Sequence, residues 1–180
     1  MSNDLDARCL DTFPEWLRTL GADAESISAA LADGDAPADA RRMLAGALNY
    51  LFKSVDLIPD GIDDIGYLDD AFVLRVAAVQ ALAVQGYAAP AGVASLASDG
   101  ALVKDFLGAD FVRLERYVAG LHKGVARGRT VEAIVGAVAT RGELAADVKG
   151  FAADYAAPPF TRDERTLVKL RAFFDARLPR

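Results

Sequence analysis

Between Ala71 and Gln85 only Arg75, Gln80 and Gln85 are polar. The run reads as a helix from about Tyr67 to Gln85, stopped by Gly86 and Pro90. Its apolar residues face every direction instead of forming one stripe. A helix of that kind must be covered by other elements on all sides. Those elements read as helices too. No run alternates with period two, and β-branched clusters are few. The expected fold class is therefore all-α: a compact multi-helix bundle of about eight helices, making residues 1–180 a single helical domain. Hydrophobic residues are 53% of the chain, enough to fold by burial. Many are alanines, which favour close helix packing over membrane insertion.

The other helices can be placed from their stripes and caps. Pro14 to Leu20 reads as a first helix ended by Gly21, and a short second one runs from Asp23 to before Gly34. In the third, Asp35 is the expected cap and Pro37 lies in the first turn. Its stripe is Met43, Leu44, Ala47, Leu48, Leu51 and Phe52. Ala91 to Ala97 reads as short, and Ala101 to Leu121 as long. Thr130 caps a helix carrying Val131, Ile134, Val135 and Val138. Capping boxes Thr140/Glu143 and Thr161/Glu164 open the last two.

The segment joining the third helix to the apolar one is unusual. Asp56 to Asp70 holds six aspartates, Asp56, Asp60, Asp63, Asp64, Asp69 and Asp70, interleaved with Leu57, Ile58, Ile62, Ile65 and Leu68. Pro59, Gly61 and Gly66 rule out a continuous helix. The aliphatics should pull the loop onto the core and hold some carboxylates in partly buried places. A buried carboxylate needs an N–H, an arginine, a proton or a metal. Asp69 and Asp70 fall in a first helical turn, where negative charge is favoured. Asp56 precedes a turn and can bond the local backbone. Arg41, Arg42, Lys53 and Arg75 are candidate partners.

The pattern Leu48-Asn-Tyr-Leu-Phe52, Asp56-Leu-Ile-Pro-Asp60 and Gly66-Tyr-Leu-Asp-Asp70 before an apolar helix resembles the YkvA-like domains of unknown function. The resemblance lies in about residues 45–82, within a helix-loop-helix over 37–85. It implies no known activity. Many members of that family look membrane-associated, whereas this chain has no stretch that reads as a transmembrane helix.

Two functions are compatible with these residues. One is a non-catalytic helical module for protein interaction or self-association, built around the aspartate loop. The other is a divalent-metal enzyme acting on a phosphate-bearing substrate. In that case Asp56, Asp60, Asp69 and Asp70 would ligate Mg²⁺, Mn²⁺ or Ca²⁺, which prefer oxygen donors. The spacing is not that of an EF-hand, nor of a di-iron bundle. Lys123, Arg127 and Arg129, in a glycine-containing loop beside the single histidine His122, are candidate anion-binding residues. Cys9 is the single cysteine, which fits a reducing compartment, and no secretory signal is seen, so the cytoplasm is expected.

Charge is uneven. Met1 to Asp70 holds 15 acidic and 5 basic residues; Ala71 to Arg180 holds 11 and 15. The acidic part argues against nucleic acid as a partner. The last helix, with Arg162, Arg165, Lys169, Arg171, Arg177 and Arg180, can dock on the acidic part, on a partner or peripherally on an anionic membrane.

Overall fold

In the computed structural model, which describes residues 2–180, the helical stripes become eight α-helices. They are α1 (Ser2–Leu31), α2 (Ala38–Leu51), α3 (Leu68–Leu82), α4 (Ala91–Leu107), α5 (Phe111–Ala119), α6 (Val131–Gly136), α7 (Val138–Asp154) and α8 (Glu164–Arg177). Short 3₁₀ turns, Gly108–Asp110 and Gly120–Lys123, flank α5. The one departure from an all-α fold among the described residues is a ribbon of two-residue strands. β1 (Val125–Ala126) pairs antiparallel with β2 (Arg129–Thr130), Val125 opposite Thr130. Strands this short show no alternation. Their turn is nevertheless built as a tight hairpin turn requires, with positive φ at both Arg127 and Gly128.

The apolar helix sits where its composition demands. α3 packs chiefly between α2 and α4, and also meets α1 and α5. Every residue from Leu68 to Ala78 is buried. Phe72 anchors an aromatic cluster with Phe13, Trp16, Phe106 and Phe174, at centroid distances of 5.2 Å to Phe174 and 5.1 Å to Phe13. A single hydrophobic core runs from Cys9 to Leu178. Arg75, only 2% exposed, is the polar exception on α3. Its guanidinium pairs with Asp23 at 3.2 Å and Asp99 at 3.1 Å, bonds the Ala71 carbonyl, and lies 4.1 Å from the Trp16 ring centroid. Thus one residue of α3 ties α1 to α4. It does not reach the aspartate segment.

Several boundaries differ from the sequence reading, each for a tertiary reason. Gly21 does not end a helix: α1 runs unbroken through Pro14 and Gly21. A Cβ at Gly21 would stand 3.1 Å from the Ala152 Cα, so the glycine is there for close approach of α7. Burial of Phe13, Trp16 and Leu17 offsets the cost of an internal proline, about 3 kcal/mol. Gly100 likewise lies inside one long α4, where a Cβ would meet Val79 at 2.5 Å; the break comes at Gly108, whose φ is +54°. α2 starts after Pro37 with no side-chain cap from Asp35. The expected Thr130 cap is present, its hydroxyl oxygen accepting from the Ala133 N–H at 3.1 Å. α7 opens at Val138 instead of at a Thr140 cap. α8 is capped by Asp163, which accepts from the Arg165 N–H, and not by Thr161.

The basic last helix docks on the acidic first part of the chain. Arg171 pairs with Asp6 and Arg162 with Asp11, while Lys169 donates to the Asp63 carbonyl. No helix among the described residues is long and apolar enough to cross a membrane.

The Arg75 node should dominate the electrostatic contribution to stability. Arg75→Ala leaves Asp23 partly buried without its partner and removes the stack on Trp16. Urea unfolding should show a loss of roughly 3–5 kcal/mol. Removing the exposed Arg18–Glu15 pair by Arg18→Ala should cost under about 0.5 kcal/mol.

Candidate functional site

The aspartate loop closes the α2–α3 hairpin, and its aliphatics hold it down. Leu57, Ile58 and Ile65 are buried, with Val55 and Pro59 exposed between and beside them. Turns from Ile62 N–H to the Pro59 carbonyl and from Gly66 N–H to the Ile62 carbonyl coil the chain tightly. Gly66 is required there, since a Cβ would lie 2.2 Å from the Asp60 carbonyl oxygen. Tyr67 then takes a left-handed conformation, φ +66°, and turns the chain into α3.

The loop is fastened by a knot of four residues, Tyr50, Leu57, Ile58 and Asp69. Asp69, fully buried at the start of α3, accepts through one oxygen from the Tyr50 hydroxyl at 2.5 Å and the Ile58 N–H at 3.1 Å. The Tyr50 oxygen in turn accepts from the Leu57 N–H at 2.8 Å. Two N–H groups of the loop are therefore satisfied by one side chain from α2 and one from α3. The other Asp69 oxygen, Oδ1, is buried and has no hydrogen-bond partner among the described residues.

Around this knot the charges of neighbouring aspartates bear on Asp56, Asp69 and Asp70. Burial pushes the Asp69 carboxyl up, opposed by its bonds from Tyr50 and Ile58, and the charges of Asp56 and Asp60 push it further. Asp70, 2% exposed, is raised well above the usual range by burial and then by Asp69, Asp60 and Asp56. Asp56 is raised to about 6 by burial and by Asp60, against a lowering from Lys53. Asp60 is raised by burial and lowered by a bond from Tyr67. The Tyr117 phenol is pushed up to about 12 by burial and by Asp69, Asp56 and Asp70, so it keeps its proton. The remaining two aspartates serve α8. Asp64 accepts from the Thr161 N–H and hydroxyl, and the Asp63 carbonyl accepts from Lys169. Asp56, Asp60, Asp69 and Asp70 are thus electrostatic neighbours. In the loop conformation seen, no three carboxylate, imidazole or thiol groups among the described residues are grouped closely enough to hold a metal ion.

The basic loop is arranged differently from the acidic one. Arg129, 8% exposed, pairs with Asp147 at 2.6 Å; Arg127 pairs with the same oxygen at 3.1 Å and covers the Phe52 ring. Lys123 is exposed at the end of a 3₁₀ turn. The three cations are not brought onto one open site. His122 Nδ1 lies 2.7 Å from the Ala119 carbonyl. Cys9 is buried in the core, where burial pushes its thiol up to about 12. Tyr50 is the site residue to which sequence reasoning assigned no role. It stood inside the Leu48–Phe52 stretch but off the stripe of Met43, Leu44, Ala47, Leu48, Leu51 and Phe52, and nothing local hinted at a buried hydroxyl with two bonds.

Residues 40–75 match the family model described as "Protein of unknown function (DUF1232)". The matched stretch runs from the first turn of α2, through the loop and the knot, to Arg75 in α3. It lies within the hairpin that carries the YkvA-like pattern. No curated protein and no solved structure matches the chain.

Two outcomes follow from this geometry. Tyr50→Phe leaves the Leu57 N–H without its acceptor and Asp69 with the Ile58 N–H as its remaining donor, and should cost about 2–3 kcal/mol in chemical denaturation. Tyr117→Phe, whose hydroxyl makes no hydrogen bond within the described residues, should cost under about 0.5 kcal/mol. The raised carboxyls also set a pH dependence. Folded Asp56, Asp69 and Asp70 hold protons that the unfolded chain releases near pH 4. The folded state therefore binds more protons from about pH 4 upward through the raised range, which for Asp56 is about 6, and stability contributed by these groups falls as pH rises across that window. Without divalent ions, Asp70→Asn should raise the melting temperature relative to wild type at pH 8 and lose that advantage at pH 5. Equal differences at the two pH values would contradict the assignment.

Proposed function

We propose that this chain is a non-catalytic helical module whose aspartate segment is a cation-operated latch, with the loop it fastens as the surface offered to a protein partner or a second copy. The carrying observation is the unpartnered Oδ1 of fully buried Asp69, whose carboxyl is pushed up by burial and by the charges of Asp56 and Asp60. A buried oxygen of that kind is costly until a cation or proton meets it. Mg²⁺, Mn²⁺ and Ca²⁺ are the ions suited to an all-oxygen set, with Asp56, Asp60, Asp69 and Asp70 as the ligands. Asp69 and Asp70 are fixed on α3; Asp56 and Asp60 are on the loop. Binding would draw the loop carboxylates in and rigidify the hairpin.

The groups available for catalysis favour the non-catalytic reading over a metal enzyme with a phosphate-bearing substrate. The Tyr50 hydroxyl and one Asp69 oxygen are already bonded to each other and to the backbone. Arg127 and Arg129 are paired with Asp147 and do not face the carboxylates as substrate clamps.

Thermal unfolding with each divalent ion at pH 7.5 and pH 5 tests the latch. At ten times the dissociation constant the melting temperature should rise roughly 3–5 °C at pH 7.5. The rise should shrink at pH 5, where protons compete, and vanish in the double variant Asp69→Asn/Asp70→Asn. Absence of a shift with all three ions at millimolar concentration would sink the metal latch. Sedimentation in the same buffers reads whether a second copy is the partner.

A further inference from the structure

The concave surface beside the latch has the opposite charge. A cavity of about 260 Å³ is lined by Lys53 from the end of α2, by Arg113, Arg116 and Tyr117 of α5, by the turn containing Gly120 and Gly124, and by Pro179. No carboxylate among the described residues lines it, in a chain whose net charge is −6.

The three cations differ in what they already do. Arg113 is a fixed wall. It pairs with Asp110 at 2.7 Å and Asp175 at 3.0 Å and donates to the carbonyls of Asp175, Leu178 and Pro179. Arg116 is exposed and makes no ion pair among the described residues. Lys53 also makes none. Its ammonium lies 5.7 Å from the Tyr50 ring centroid and 5.9 Å from that of Tyr117, so it is held by two aromatic faces, and Asp56 is the carboxylate its charge acts on. The Tyr117 hydroxyl makes no hydrogen bond among the described residues, and its raised affinity for its proton leaves it a donor.

We infer that this cavity is a binding site for a small phosphate-type oxyanion, held by Lys53, Arg116 and the Tyr117 hydroxyl. Three donors from two elements suit a tetrahedral dianion, and charge-assisted bonds to phosphate are the strong kind. The cavity volume admits phosphate or a small phosphomonoester.

The test uses the whole chain with chelator present, so that no divalent ion contributes and the result is independent of the latch. Calorimetric titration with inorganic phosphate is compared with chloride at equal ionic strength, and phenyl phosphate serves as the monoester arm. Saturable binding of phosphate at one site is expected, with the monoester arm reading whether an ester group is accommodated. Lys53→Gln and Arg116→Gln should each weaken it about tenfold, equivalent to 1.4 kcal/mol. Lys123→Gln, the same charge change outside the cavity, should alter it less than about twofold. Arg116 is exposed, so its variant tests the site without risk to the fold. Chloride matching phosphate, or Lys123→Gln weakening binding as much as Arg116→Gln, would overturn the site.

Discussion

The carboxylate of Asp69 is the point on which the recognisable part of this protein turns. It lies at the first turn of α3, yet it does not serve that helix as a cap. One oxygen instead takes the Tyr50 hydroxyl from α2 and the Ile58 N–H from the loop. Tyr50 passes the connection on to the Leu57 N–H. Those two N–H groups belong to residues whose side chains are buried, so neither has water as an alternative partner. Remove the knot and the loop must either stay wet or bury unpaired donors. This is why a polar cluster survives next to an otherwise apolar helix, and why it coincides with the stretch that matches a family model.

The knot carries an electrostatic cost that the rest of the fold does not relieve. The strongest buried cation nearby in sequence, Arg75, is committed to Asp23 and Asp99 on the other side of α3. α3 therefore has two polar faces with different logic. The Arg75 face is neutralised inside the protein and holds α1, α3 and α4 together. The Asp69–Asp70 face is left negative, with Lys53 as the cation whose field reaches Asp56. A structural ion-pair network would resemble the first face. The second stores repulsion that only a proton or an ion from outside can discharge.

Much of the fold was legible because helix stripes and an all-round apolar helix leave few alternatives. The misreadings cluster at small residues. Gly21 reads as a stop and Ala97 and Ala101 as separate helix ends, but Gly21 and Gly100 each lie inside a helix where another passes too closely for a Cβ, a tertiary fact with no local signature. Thr161 looked like a cap and instead binds Asp64, across nearly a hundred residues of sequence. In the site, the anchoring of the loop by its aliphatics was legible, and Leu57, Ile58 and Ile65 are buried. Which oxygen is bonded and which is bare was not, because that depends on Tyr50 reaching across from α2. The split of the six aspartates, four toward the knot and two toward α8, is likewise set by where α8 docks.

The acidic knot and the basic cavity are not separate neighbourhoods. Lys53 lowers the proton affinity of Asp56, and Tyr117, which lines the cavity, feels Asp69, Asp56 and Asp70. An oxyanion beside Lys53 would partly cancel the field that eases Asp56, and so raise the affinity of the carboxylates for a cation. By linkage the same cation would raise affinity for the oxyanion by the same factor. The loop's backbone is fastened between the two, through Tyr50 and Leu57. Ligands of opposite sign would thus act on one hairpin in the same direction, without a group in the protein having to change partners.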